Sequence, residues 1–129
     1  MHAILINSLL VGAGGFVGSV ARYLLALALP AQPFPAGTLA ANVLGCFAIG
    51  ALAQLVTPVS HLSPEARLLL ATGFCGGFTT MSSLIFETAQ FLKVGAYLHA
   101  GAYVLASFAG SLLAFGLGAL LVRGLMRAA

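Results

Sequence analysis

Thr80, Ser83, Glu87 and Gln90 recur at three- and four-residue spacing, which sets them on one face of a helix. Two other stretches carry narrower polar lines. Thr38 and Asn42 stand four apart, and Tyr103, Ser107 and Ser111 follow one another at intervals of four. Together these are hydroxyls, two amides and a single carboxylate, with no cationic side chain among them. Amide N–H and hydroxyl O–H groups donate hydrogen bonds, so they suit a small, strongly hydrated anion whose water must be replaced; hydroxyls also accept, so the lines alone leave cations open. Arg22, near the end of the first apolar run, stands where it would draw anions toward such a path.

The segments that position these residues are almost wholly apolar. Of 129 residues, 61% are hydrophobic and 5% charged, where a soluble domain carries about 25% charged residues. This composition predicts an all-α integral membrane protein. Four runs are long enough to cross a bilayer as helices of about 20 residues, over residues 3–29, 38–57, 68–93 and 98–122. "PAQPFPAG" separates the first two runs, its prolines stopping the helix, and "TPVSHLSPEAR" separates the next two. The four runs make one membrane domain, with no linker or second domain evident. The first run is too long and glycine-rich for a cleaved leader.

The third run holds "ATGFCGGFTTMSSLIFETAQ". Gly76-Gly77 predicts a break in the helix there; a kinked but continuous helix, with Ser and Thr bonding to the preceding turn, is the alternative. At a break, freed carbonyls suit a small cation and freed amides an anion. Irregular backbone at membrane depth is tolerated only where protein buries it or water lines it.

Four helices enclose no aqueous pore, so transport implies an oligomer. Small residues four apart (Gly14 with Gly18, Ala41 with Gly45, Gly110 with Ala114 and Gly118) suit close packing, between subunits or within one. If all four runs cross, Arg67, Arg123 and Arg127 fall on one side and Arg22 and Lys93 on the other. So even a split permits insertion in both orientations, and hence an antiparallel dimer, although a weak bias can still orient a chain.

Other chemistries lack their residues. Gly12, Gly15 and Gly18 imitate a dinucleotide-binding turn, but no acidic residue follows about 20 positions on and no strands alternate with helices. The glycines read as a packing face. Cys46 and Cys75 form no CxxC pair and read as buried thiols rather than metal ligands. Five scattered basic residues give no nucleic-acid surface. The residues alone lead to a small dimeric channel or transporter.

Four pieces, in order, add a family. "GGFVGSVARY", "GTLAANVLGCFAIG", "GFCGGFTTMSSLIFE" and "GSLLAFGLG" make the chain resemble the CrcB/Fluc family of fluoride channels over essentially its whole length. The resemblance implies no enzyme but a dual-topology, antiparallel homodimer in the cell's inner (plasma) membrane, passively exporting fluoride from the cytoplasm. It implies a structural, untransported sodium ion at the dimer centre, held by the backbone carbonyls of Gly76 and Thr79. It carries the pore-donating asparagine to Asn42, the fourth-run serine to Ser111 and the first-run arginine to Arg22. Thr38, Thr80, Ser83, Glu87 and Tyr103 are expected along the same pathway. One departure stands out. Where the family has Phe-Ser-Thr-Phe, this chain has Met81-Ser82-Ser83-Leu84. Met81 and Leu84 keep roughly the bulk of the rings but not their quadrupole. Phe78 and Phe86 lie on other faces of the helix and do not replace them. A proton-coupled exporter of the small multidrug type is the other reading; it wants an acid in the first run, which has none. A third, a membrane scaffold without transport, has no use for three polar lines.

Overall fold

A computed structural model describes residues 1–55 and 62–128. All regular structure among them is helical. Four segments are long and apolar enough to cross a membrane: His2–Ala28, Ala36–Gln54, Pro64–Lys93 and Tyr97–Ala128. They are called the first to fourth spans. The expected second run reached Thr57, and residues 56 and 57 lie outside the described residues.

The boundaries have local causes. The second span starts two residues before Thr38, with Gly37 seated directly on the Ala26 backbone. The third starts at Pro64 rather than Leu68. Ser63 caps it, its hydroxyl accepting from the Ala66 N–H at 3.1 Å, and Pro64 fills the first turn, where no N–H is needed. The third span ends in a Schellman turn. Ala96 N–H donates to the Phe91 carbonyl at 2.8 Å, and Gly95 N–H donates to the Leu92 carbonyl at 3.1 Å. Gly95 takes φ +74°, a left-handed conformation that only glycine adopts without strain. The fourth span continues past residue 122 to Ala128.

The glycine pairs pack helices within one chain. A Cβ on Gly14 would land on the Leu69 carbonyl oxygen, and one on Gly18 on that of Phe74, so the first span lies against the backbone of the third. Facing these glycines, residues Leu68–Cys75 wind as a π-helix. Gly118 and Gly50 bring the fourth and second spans together in the same way, over the Phe47 and Phe115 carbonyls. Gly12, Gly15 and Gly18 all sit inside one helix, as a packing face requires. The core is thin, centred on Ala41, Cys75, Leu84, Ala100 and Tyr103. Large apolar side chains such as Phe16, Leu105 and Leu112 face outward, as lipid demands.

The third span is broken, but not at its glycines. Gly76–Phe78 remains helical, and the chain becomes extended at Thr79 (φ −84°, ψ 155°) and Thr80 (φ −153°, ψ 117°) before the helix resumes as Met81–Lys93. Gly77 serves close approach instead, since a Cβ there would meet the Gly15 carbonyl.

Candidate anion pathway

Asn42 holds the break. Its side chain, nearly buried on the second span, is tied to Thr80 at both ends. Asn42 Nδ2 donates to the Thr80 carbonyl at 3.1 Å, and Thr80 N–H donates to Asn42 Oδ1 at 2.7 Å. In a continuous helix the Thr80 N–H would return to Gly76. Thr80 then caps the resumed helix, its Oγ1 accepting from the Ser83 N–H at 3.2 Å. The Ser83 hydroxyl lies 3.2 Å from the same Oγ1.

The break frees other backbone groups as well. Cys75 O accepts from both the N–H and the hydroxyl of Thr79, at 3.0 and 2.9 Å. Gly77 O accepts from Arg22 Nε at 3.1 Å and Ser19 Oγ at 3.4 Å. Two carbonyls lose their helical donors to side chains. Gly76 O loses the Thr80 N–H to Asn42, and Thr79 O loses the Ser83 N–H to Thr80 Oγ1. A Cβ on Gly76 would meet nothing within 4 Å, so the side-chain direction at Gly76 is open among the described residues.

Beside the break lies a cavity of about 340 Å³. Asn42, Thr79, Thr80, Met81 and Leu84 line it from the second and third spans, and Ser107 and Ser111 from the fourth. Leu84 is buried and Met81 half exposed, yet both reach the cavity. Phe108 and Phe115, which no motif or spacing in the sequence singled out, also line it. The Ser107 hydroxyl is buried and has no hydrogen-bond partner among the described residues. Leaving such a group unsatisfied costs about 1–3 kcal/mol. Asn42 has a second amide hydrogen beyond the one given to Thr80.

Farther along the third span, three of the expected residues meet. Thr38 Oγ1 donates to Glu87 Oε1 at 2.8 Å, and Tyr103 Oη donates to Glu87 Oε2 at 2.6 Å. The second, third and fourth spans thus converge on one carboxylate. Gln90 lies beyond it, in the lining of a second cavity. Arg22 lines neither described cavity but turns to the Gly77 carbonyl. Ser19, its companion there, gave no separate signal in the sequence.

The family model described as "CrcB-like protein, Camphor Resistance (CrcB)" matches residues 9–119. A relative from Chlorobaculum tepidum named "Fluoride-specific ion channel FluC" is 54% identical over 119 residues, covering 91% of this chain and 94% of its own. A relative of that name from Prosthecochloris aestuarii is 51% identical, covering 89% and 91%. A third, from Rhizobium etli, is 45% identical, covering 95% and 100%. These relatives bear the name of a channel, not of an enzyme. With its four apolar spans and a match over most of its length, the chain is a multi-pass membrane protein of the CrcB family.

Proposed function

We propose that this protein is a fluoride-selective, passive channel of the inner (plasma) membrane, exporting fluoride from the cytoplasm as an antiparallel, dual-topology homodimer. The observation that carries the reading is the Ser107 hydroxyl, buried without a partner among the described residues in a cavity it shares with Asn42 and Ser111. Donors without partners at membrane depth suit a guest that only accepts, and fluoride is the smallest such anion. The relatives' names point the same way. Export needs no coupled proton: fluoride enters as neutral HF from acid surroundings, is trapped as the ion, and is driven out by a negative internal potential.

The break also fits a structural sodium ion. The Gly76 and Thr79 carbonyls are the two whose helical donors are taken by side chains, and neutral carbonyl oxygens are hard-cation ligands. They would hold the ion, which would tie the broken helix to its dimer partner and take no part in transport. The described residues hold no cluster of three or more His, Cys, Asp or Glu side chains for any other metal.

Vesicles loaded with potassium fluoride test the channel. An electrode should record fluoride release when valinomycin allows potassium to follow. Chloride release at an equal rate, or release only under a proton gradient, contradicts the reading and favours a coupled exporter. Against the exporter stands Glu87, the only acid in the spans apart from Glu65 at the third span's first turn, whose two oxygens are each already engaged.

A further inference from the structure

The loop between the first two spans turns one large apolar side chain inward. Ala31, Gln32 and Pro33 are exposed, while Phe34 is half-buried. The Ala36 N–H donates to the Pro30 carbonyl at 3.2 Å and closes the loop. Phe34 enters a cluster of four rings. Its centroid lies 6.2 Å from that of Tyr103, with the planes 21° apart, 6.3 Å from Phe91 and 5.7 Å from His99. Phe91 also meets Tyr103, but at a steep angle of 71°. Phe34 is therefore the ring stacked on the face of Tyr103, the phenol that donates to Glu87 Oε2 at 2.6 Å. Thr38, whose hydroxyl holds Glu87 Oε1, follows Phe34 by four residues. One short stretch thus delivers both the ring that backs the phenol and the hydroxyl that holds the other oxygen. Glu87 and His99 also line the second cavity, of about 450 Å³, with Pro33 and Pro35 from either side of Phe34.

We propose that Phe34 is a positioning residue for fluoride permeation: its ring keeps the Tyr103 phenol on Glu87, and so keeps the carboxylate from opposing the anion. This rests on the channel reading. Tyr103 is buried, and a ring stacked on its face resists the tilt that would carry its hydroxyl off the carboxylate. The bond from Tyr103 has the length that hydroxyls make to a charged oxygen. Each such bond spreads the carboxylate's negative charge onto its donor. Without the phenol, Oε2 keeps its charge unshared beside the pathway and repels fluoride. Phe34 lines neither described cavity, so its effect on the anion passes through Tyr103.

Fluoride efflux from vesicles, compared across a double-mutant cycle, tests the role. Phe34→Leu and Phe34→Met should each slow initial efflux roughly threefold to tenfold, and Phe34→Tyr, which keeps the stacked ring, should stay near the wild-type rate. In a Tyr103→Phe background, where the phenol is already gone, Phe34→Leu should cost nothing further. A full rate in Phe34→Leu overturns the role. So does an undiminished further loss in the Tyr103→Phe background, which is what a ring that only packs the loop would give. Absence of efflux from the wild type would instead contradict the channel reading. The carboxylate then decides the role separately, without transport. Glu65 and Glu87 are the only acidic side chains in the chain, so carbon-13 label at the glutamate carboxyls gives one resonance for each, and Glu87→Gln identifies that of Glu87. It should move in Phe34→Leu in the direction it moves in Tyr103→Phe, and hold its place in Phe34→Tyr. An unmoved Glu87 resonance in Phe34→Leu overturns the role whatever the rates.

Discussion

Asn42 does two jobs with one carboxamide. Its oxygen and one amide hydrogen hold Thr80, and the remaining hydrogen is available to the cavity. Asn42→Asp keeps an acceptor for the Thr80 N–H but sets a second oxygen against the Thr80 carbonyl and brings negative charge to an anion path. A charge-assisted hydrogen bond to an anion is worth about 1.5–3 kcal/mol, so fluoride efflux should slow by roughly tenfold or more. Ser111→Ala removes one of several hydroxyls and should cost only about a few-fold. Initial efflux rates from the same vesicles make the comparison. Equal, small losses in both variants would remove Asn42 from the pathway. The Met81 and Leu84 side chains contribute no donor and no ring edge to the same cavity, whose rings, those of Phe108 and Phe115, come from the fourth span.

At the scale of the helix, Thr80 decides where the third span resumes. Its Oγ1 takes the Ser83 N–H, one of the donors that a helix start leaves unpaired. Thr80→Ala should lower the unfolding free energy in detergent by about 1 kcal/mol, and Thr80→Ser should recover most of it. A melting temperature unchanged in the alanine variant would mean that Asn42 alone sets the break. The same break marks how far the sequence could be read. The four spans were legible because apolar length and proline punctuation are local signals. The meeting of Thr38, Glu87 and Tyr103 was foreshadowed by helical spacing on three separate runs. The site of the break was not, because glycine tolerates both a break and a close helix contact. The choice was made by Asn42, 38 residues away from Thr80, and by Gly15 against Gly77. Ser63-Pro64 was a local helix-start signal that the surrounding polar residues made look like loop. Phe34 and His99 come together only through folding, so no spacing announced the second cavity.

Across the whole molecule, the break leaves two carbonyls without the N–H donors a continuous helix would give them. They are those of Gly76 and Thr79, and a Cβ on Gly76 would meet nothing within 4 Å among the described residues. Two carbonyls are few for a cation that prefers a shell of oxygens, but a two-fold partner would double the set. Antiparallel insertion is compatible with the scarcity of charge: five Lys and Arg residues in all, one of them, Arg22, occupied at a carbonyl inside the protein. If sodium binds the paired carbonyls, it binds the dimer and not the separated chains. Linkage then requires that dimer stability rise with sodium, approaching about 1.4 kcal/mol per tenfold increase for one ion well above its dissociation constant. The monomer–dimer equilibrium in detergent, followed over a hundredfold range of sodium balanced by N-methylglucamine at constant ionic strength, measures this directly. The dissociation constant of the dimer should fall as sodium rises, while fluoride concentration leaves that slope unchanged. A dimer equally stable at both extremes would remove sodium from Gly76 and Thr79, and leave the open carbonyls to be satisfied by water.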